Sequence, residues 1–538
     1  MATKIIATTA AIAATVIYLR RRYARPKKRK IAIYGSAMDP PTNGHMQLAT
    51  EIVHSGNVDE VWLCPSGPRP EKKSLVTPPE QRCAMAEIAI NEAVSPTFPI
   101  RVTDHEIRDP SLVQTYDSLC YLRDAHPDCE FVFVIGSDWL QPGTDIREWH
   151  SKEGRTGEQL LNEFDFLVLP RPGYDVDDIK AFGPRMYWLT LPENFQMVES
   201  NASSSEVRKR AKTQWLADPK HGQNLQALNG LVPPGVHAFC LRNRLYEYLA
   251  RPEARRYSFD AGTRPLATLT RSPKGPKRRI GILGGAFSPI TNMHVQMATE
   301  IVISGHVDEV WLVPSGPRPD KPNMRVSPRQ RYIMCEIAVN TGLSSSFPVR
   351  VSDHEVKHNE PLATYDSLSY LREHHDGCQF VFILGSDWLQ PGTSMREWSS
   401  KEGRTGEQLL DEFDFLVLPR PGHEQCDLTT FGPRIQWLTL PDGFKCVESN
   451  ASSTELKKRA KFSSLHGMNT AADGEYDLRA MDGLLPPAVL SYIRRHKLHE
   501  DLAHDFDLLG AKAATGKGGG RRASVGGAGA HPALREGI

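Results

Sequence analysis

The pattern in this chain best suited to chemistry occurs twice. A short apolar run leads into a glycine turn, then a proline, then a threonine three residues before a histidine. It reads IAIYGSAMDPPTNGH at 31–45, with Gly35, Ser36, Pro40, Thr42 and His45. It reads IGILGGAFSPITNMH at 280–294, with Gly284, Gly285, Pro289, Thr291 and His294. A glycine directly after a strand lets the backbone come close to an anion. The helix that follows starts near the histidine, with unpaired N–H groups and the positive end of its dipole. The imidazole can donate to phosphate oxygens and stabilise charge that builds up in a transition state. A capping threonine and a core histidine would give the same letters, so other motifs must decide.

Each copy continues with further polar constellations. Lys72 opens KKSLVTPPEQRCAM (72–85) and Lys321 opens KPNMRVSPRQRYIM (321–334). Thr115 and Tyr116 lie in QTYDSL, and Thr364 and Tyr365 in ATYDSL. GSDWL supplies Gly136 and Asp138, then Gly385 and Asp387; REW supplies Trp149 and Trp398; LPRPG supplies Arg171 and Arg420. SNASSSEVRKR carries Ser204, Ser205 and Arg208, and SNASSTELKKR carries Ser453, Thr454 and Lys457. Hydroxyls at a helix N-terminus with a cation one turn in can hold phosphate. The same serines before a glutamate are a common capping pattern, a lone tryptophan is more often core, and RxxM is usually a helix face. Their joint order along one chain argues against the bland readings. GxGxxG and GKT are absent, which excludes a dinucleotide-binding dehydrogenase and a P-loop kinase.

The elements that must position these residues come from a duplication. Residues 30–212 align with 279–461 without a gap, an offset of 249. Similarity resumes at GLVPPGVHAFCLRNRLYE (230–247) and GLLPPAVLSYIRRHKLHE (483–500). A period this long is a repeated domain, not a solenoid. The two copies of the motif therefore count as one observation. Within the first copy, strands are expected at Ile31–Tyr34, Glu60–Leu63, Phe131–Ile135 and Phe164–Leu169, and helices at Met46–His54, Pro79–Ala93 and Leu160–Glu163. Strands alternating with helices predict an α/β unit with a mainly parallel sheet. Ligands then bind at the carboxyl ends of the strands, where Gly35, Gly136 and Arg171 fall.

At 538 residues the length alone suggests three or four domains of roughly 150 residues. The repeat reduces this to domains at 30–249 and 279–509, joined by a linker at 250–278 and followed by a Gly- and Ala-rich tail at 510–538. The tail contains RRAS (521–524), which fits a basophilic kinase site or a chance match equally well. With 40% hydrophobic and 24% charged residues, the chain is neither disordered throughout nor a multi-span membrane protein. Lys and Arg number 65 against 64 Asp and Glu, which argues against a nucleic-acid partner. Nine scattered cysteines without CxxC point to free thiols rather than a disulfide framework or a zinc site.

Residues 1–29 lie outside the repeat. Ile5–Leu19 carries no charge and RRRYARPKKRK follows at 20–30. Residues 2–19 are expected to anchor the chain in a membrane, the mitochondrial outer membrane or the endoplasmic reticulum, with both domains facing the cytosol. A transit peptide to the mitochondrial matrix and a soluble leader are the alternatives. Oligomerisation stays open.

These motifs resemble those of nicotinamide/nicotinate mononucleotide adenylyltransferases, within the nucleotidyltransferase superfamily that carries the (H/T)xxH motif. The resemblance covers both copies and implies two tandem Rossmann-like nucleotidyltransferase domains, each with a C-terminal helical segment. It implies adenylyl transfer from ATP to the mononucleotide, giving the dinucleotide and pyrophosphate in NAD biosynthesis. It assigns catalysis to His45, His294, Arg208 and Lys457. ATP and its phosphates would meet Gly35, Ser36, Thr42, Lys72, Ser204 and Ser205 in the first copy. In the second they would meet Gly284, Gly285, Thr291, Lys321, Ser453 and Thr454. The mononucleotide and its ribose would meet Thr115, Tyr116, Gly136, Asp138, Trp149 and Arg171, and Thr364, Tyr365, Gly385, Asp387, Trp398 and Arg420. Tyr116, Tyr365, Trp149 and Trp398 would stack on the pyridine ring, and the two Asp carboxylates would accept from ribose hydroxyls. Mg²⁺ or another divalent cation would accompany ATP, with no dedicated protein ligand set.

The copies depart from the pattern differently. The first has Ser36 and Met38 in the glycine turn, and Ser205 for threonine. The second has Ser288 for an acidic or amide residue, and Lys457 for arginine, a point charge without a bidentate fork. Both copies are expected to be active or nearly so. PPTNGH (40–45) also resembles phosphopantetheine adenylyltransferase, the competing enzyme reading, and a scaffold with one inactive repeat is the competing class.

Overall fold

The computed structural model describes residues 28–250 and 277–503, apart from 70, 71, 73, 74, 76, 110–113, 143, 145, 151–153, 155, 156, 172, 198–201, 218–224, 320, 322, 323, 391–393, 399–402, 404, 405, 420–426, 445–451 and 466–477. The expected anchor, nearly all of the linker, the tail with RRAS, and Arg420 fall outside the described residues.

The apolar runs form two six-stranded sheets. The first contains β1 (Arg29–Ser36), β2 (Glu60–Pro65), β3 (Ile100–Val102), β4 (Cys129–Gly136), β5 (Asp165–Leu169) and β6 (Met186–Trp188), in the order β3-β2-β1-β4-β5-β6. The second contains β7 (Arg278–Gly285), β8 (Glu309–Pro314), β9 (Val349–Val351), β10 (Cys378–Gly385), β11 (Asp414–Leu418) and β12 (Ile435–Trp437), in the equivalent order β12-β11-β10-β7-β8-β9. Strand pairs such as β1–β4, β7–β8 and β7–β10 run parallel, with Ile31 opposite Phe131 and Ile282 opposite Phe382. Every residue of β2 and β8 is buried, as expected when both faces of a parallel sheet are covered.

The longer helices cover these faces. They are α1 (Asn43–His54), α2 (Pro79–Ala93), α3 (Thr115–Ala125), α4 (Ser204–Ala217) and α5 (Pro234–Arg242), then α6 (Asn292–Ile303), α7 (Pro328–Gly342), α8 (Thr364–His374), α9 (Ser453–Leu465) and α10 (Pro487–Arg495). Proline in the first turn suits α2 and α7, because that N–H has no helical partner. Ser327 adds a capping box with Gln330 at the start of α7.

In both sheets the strand order reverses between the first and fourth strands. Ligands bind at such a switch point, at the carboxyl ends of the strands. Both glycine turns and both GSD segments sit at those ends, so two motifs a hundred residues apart end neighbouring strands. The four expected strands of the first copy are present, extended or shifted by up to two residues. β3 and β6, three residues each, carry too little pattern to be legible. The helix expected at Leu160–Glu163 begins at Gly157.

Packing divides the chain into two compact units. The smaller combines the residues up to Gly35 with Glu51–Trp62 and Ser111–Gln196. The larger combines Ser36–Thr50, Leu63–Pro110 and everything from Met197 onward, and so holds the whole second repeat. The seven described cysteines are free thiols. Among the described residues, no helix is long and apolar enough to cross a membrane.

Candidate active site

In the second repeat, all within the larger unit, Thr291 caps α6. His294 forms the reciprocal half of the capping box, its Nδ1 accepting from the Thr291 N–H at 3.0 Å. With Nδ1 accepting, the proton of the neutral ring sits on Nε2, the donor it can offer a phosphate. His45 repeats this, its Nδ1 accepting from the Thr42 N–H at 3.1 Å. There, however, the Nε2–H donates to the Ser36 hydroxyl at 3.2 Å. Gly285 holds the equivalent position in the second repeat and has no hydroxyl. Phe287 lies edge-on to the His294 ring at 5.2 Å, where the first repeat has Met38. Both residues adopt positive φ, +46° and +50°, so the two turns share a backbone shape that L-residues rarely take.

The serine-rich motif is tied to this turn. Ser203 and Ser452, not the serines after them, cap α4 and α9 by accepting from Glu206 N–H and Glu455 N–H. Ser204 donates to the Pro40 carbonyl at 2.8 Å and Ser453 to the Pro289 carbonyl at 2.9 Å. Thr42 donates to the Ala202 carbonyl at 2.5 Å. Arg208 donates to the Asp39 carbonyl at 2.6 Å, with the buried Asp39 carboxylate 3.9 Å away. Burial raises the Asp39 carboxyl pKa, and Tyr246 donates to it at 3.0 Å. In the second repeat Ser288, Lys457 and His499 stand for Asp39, Arg208 and Tyr246, and Lys457 is buried.

A second tie was not legible as such. Arg82 and Arg331, the arginines of RxxM, are fully buried. Arg331 donates to the Ala286 carbonyl at 2.8 Å, the Ser315 hydroxyl at 3.0 Å and the Gly316 carbonyl at 3.0 Å. Arg82 makes the same three bonds to Ala37, Ser66 and Gly67, and a fourth to the Thr77 carbonyl. Each guanidinium thus joins the glycine turn to the SGPRP loop after the second strand.

A cleft opens at this end of the second sheet. Gly284, Gly285, Lys321, Thr364, Ser453 and Thr454 line it, together with Trp398. Of the remaining expected residues, Thr291, His294, Gly385, Asp387 and Lys457 do not line it. Three unexpected residues do: Glu355, Ser367 and Trp388. Trp388 meets Trp398 edge to face at 5.2 Å. Glu355 accepts from Ser367 at 2.8 Å and from the Gly316 N–H at 3.4 Å, and burial raises its pKa to about 7. A Cβ on Gly316 would come within 2.5 Å of the Glu355 carbonyl, so this approach requires glycine.

One expectation needs correction. Tyr365 does not line the cleft. It is buried in the hydrophobic core, donates to Glu412 at 2.8 Å and packs edge-on against Phe413. Tyr116 likewise is buried, donates to Glu163 at 2.6 Å and packs on Phe164. Neither ring is placed to stack on a substrate. Thr364 and Ser367, one helical turn apart, present the cleft-facing side of α8, and Tyr365 points to the other.

In the smaller unit, Arg171 pairs with Asp138 at 3.1 Å, and its backbone N–H donates to Ser137. Both side chains pass over Gly136, where a Cβ would lie 2.1 Å from the Asp138 carboxylate. Trp149 meets Trp139 edge to face at 5.1 Å. In the larger unit, Thr115 has no counterpart to report, but Lys72 is exposed after a turn closed by its N–H on the Arg69 carbonyl at 2.9 Å.

Among the described residues, one group has the spacing of metal ligands: Cys64, His105 and Glu106. The thiol already donates to Glu106 and burial holds its pKa well above the ordinary value, while Val313 replaces it in the second repeat. This thiol-containing set does not suit Mg²⁺, which takes oxygen ligands.

The family model described as cytidylyltransferase-like matches residues 33–210 and 282–459. A probable nicotinate-nucleotide adenylyltransferase of Bacillus cereus is 32% identical over 220 residues, which are 41% of this chain and 99% of that protein. The nicotinate-nucleotide adenylyltransferase of Bacillus subtilis is 28% identical over 220 residues, with the same coverage. The structure of Plasmodium falciparum nicotinic acid mononucleotide adenylyltransferase complexed with NaAD is 25% identical over 41% of this chain and 98% of that one. Its TM-score is 0.33, at which the superposition carries no argument.

Proposed function

Because the chain belongs to the cytidylyltransferase-like family along both halves, we propose that each half transfers the adenylyl group of ATP to nicotinamide or nicotinate mononucleotide. The products are the dinucleotide and pyrophosphate, a step of NAD biosynthesis. The observation that carries this reading is the cleft of the second repeat. There the glycine turn, Lys321, the Ser453–Thr454 helix start and the Trp388–Trp398 pair share one opening.

An oxygen of the mononucleotide phosphate attacks the α-phosphorus of ATP in line. The bond from that phosphorus to the bridging oxygen breaks, and pyrophosphate leaves with the electron pair. The nucleophile is already an anion at neutral pH, so no general base is required. The protein's part is positioning and charge neutralisation. Nε2–H of His294 or His45 donates to phosphate oxygen. Lys321, or Lys72 in the first repeat, and the N-terminus of α9 or α4 offset the triphosphate charge. Lys457 and Arg208 act from behind this surface, Arg208 by fixing the backbone of the turn. Trp398 or Trp149 supplies the aromatic face for the pyridine. Asp387 and Asp138 are assigned to the ribose.

A divalent cation supplies charge neutralisation on the phosphates when it arrives with ATP. The one cleft-lining carboxylate identified, Glu355, has a pKa raised to about 7 and suits a hydrogen-bonding role better than metal ligation. The cation is therefore written as part of the substrate. We further propose that residues 2–19 anchor the chain to a membrane with both repeats in the cytosol.

The test is an ATP-dependent assay of the full chain against both mononucleotides and phosphopantetheine. Turnover of a mononucleotide with release of pyrophosphate is expected. Turnover of phosphopantetheine alone would overturn the reading.

A further inference from the structure

The larger compact unit contains a face on which the two repeats meet. Helices α2 and α5 come from the first repeat, and α7 and α10 from the second. α2 packs against α7, and both α5 and α10 pack against the pair. Gln81–Asn91 of α2 and Arg331–Asn340 of α7 are buried without a break. A helix buried on every side cannot lie on the surface of a lone domain.

The polar contacts across this face are exchanged in kind. Arg242, at the end of α5, reaches the C-terminal end of α7. It donates to the carbonyls of Leu343 at 3.1 Å, Phe347 at 2.6 Å and Val349 at 3.0 Å, to Ser344, and to the Asn340 side chain. Arg495, at the end of α10, does the same to α2. It donates to the carbonyls of Val94 at 2.7 Å, Ser95 at 2.6 Å, Phe98 at 3.0 Å and Ile100 at 2.7 Å, and to the Asn91 side chain. Each buried guanidinium thereby meets the negative end of the other repeat's central helix and satisfies carbonyls that the helix leaves unpaired. Glu92 accepting from the Gly235 N–H at 2.7 Å lies within the first repeat and holds α5 against α2. His496 pairs with Glu87 across the face at 2.8 Å, and Arg329 with Asp104 at 3.6 Å. The same residue types contact each other in both directions, as in an isologous interface between two copies of one domain.

We propose that this face holds the two repeats together without the covalent connection, so that the surface of each repeat is a docking site for a domain of the same kind, specified by Arg242 and Arg495. The second repeat occupies the position that a second copy would take beside a single-repeat chain.

The test keeps the full chain. A site-specific protease sequence is placed between residues 251 and 276, the purified chain is cut, and association is followed by analytical ultracentrifugation. The cut halves are expected to sediment as one particle at micromolar concentration. With Arg242→Ala and Arg495→Ala together, association should weaken by roughly 100-fold or more, because buried carbonyls lose their charged donors. Arg242→Lys with Arg495→Lys should restore little of it, since an ammonium cannot span the same fork of acceptors. The uncut double variants, held at high effective concentration by the tether, give the folding control by melting temperature. Separation of the cut wild-type halves at micromolar concentration would overturn the proposal. So would cut alanine variants that associate as tightly as wild type.

Discussion

Arg331→Lys is the most informative single change, because it keeps the charge and removes the geometry. The guanidinium now bridges two loops with three bonds, to Ala286, Ser315 and Gly316. An ammonium is a compact point charge and cannot reach both loops from the same stem. A hydrogen bond to a charged group is worth about 1.5–3 kcal/mol, so losing one or two leaves a deficit of about 3 kcal/mol. If that deficit falls on the placement of the glycine turn in the transition state, kcat/KM drops by about 100-fold. The assay is initial-rate dinucleotide formation in a His45→Ala background, so that only the second repeat turns over, with the melting temperature measured in parallel. Arg82→Lys in a His294→Ala background should behave alike. An Arg331→Lys variant with unchanged kcat/KM would refute the argument that this arginine positions the site.

Three further predictions follow from particular contacts. In the same His45→Ala background, Trp398→Ala should raise the KM for the mononucleotide by about tenfold, whereas Tyr365→Phe should leave it unchanged and cost about 1 kcal/mol of stability by losing the bond to Glu412. Removing the hydroxyl from the first repeat's turn with Ser36→Gly should release the His45 Nε2–H and raise kcat of that repeat a few-fold, measured in a His294→Ala background. Burial raises the pKa of Glu336 to about 7, so the folded state holds a proton that the unfolded state has lost above the ordinary carboxyl range. Its contribution to stability is present below that range and is lost as pH rises through about 7. Glu336→Gln should therefore flatten the fall in melting temperature between about pH 5 and pH 8.

The sequence made some of this legible and hid the rest for physical reasons. The glycine turns, the TxxH spacing and the serine-rich helix starts are local patterns, and the structure keeps each as a local unit. The strand order is not local, and only the sheet shows why GSDWL ends a strand next to the glycine turn. Tyr365 was misjudged because one residue along a helix is about 100° of rotation. Thr364 and Ser367 share the cleft face, and the tyrosine between them does not. Trp388 follows directly after Asp387, in a segment already singled out, yet nothing in the letters says which way it points. Arg331 stood out as part of RxxM, but its acceptors come from two distant loops. The unbroken burial of α2 and α7 left a trace in sequence: apolar residues on all sides, with no polar stripe. That trace signals a helix enclosed by neighbours, but it does not say that the neighbour is the other repeat.

The central claim is that both TxxH motifs serve adenylyl transfer to a pyridine mononucleotide. Its most direct test compares the full chain with the His45→Ala plus His294→Ala double variant, following dinucleotide and pyrophosphate together from ATP and mononucleotide. The account predicts equal amounts of both products from the unaltered chain and a loss of at least about 100-fold in the double variant. Undiminished dinucleotide formation by a folded double variant would contradict it.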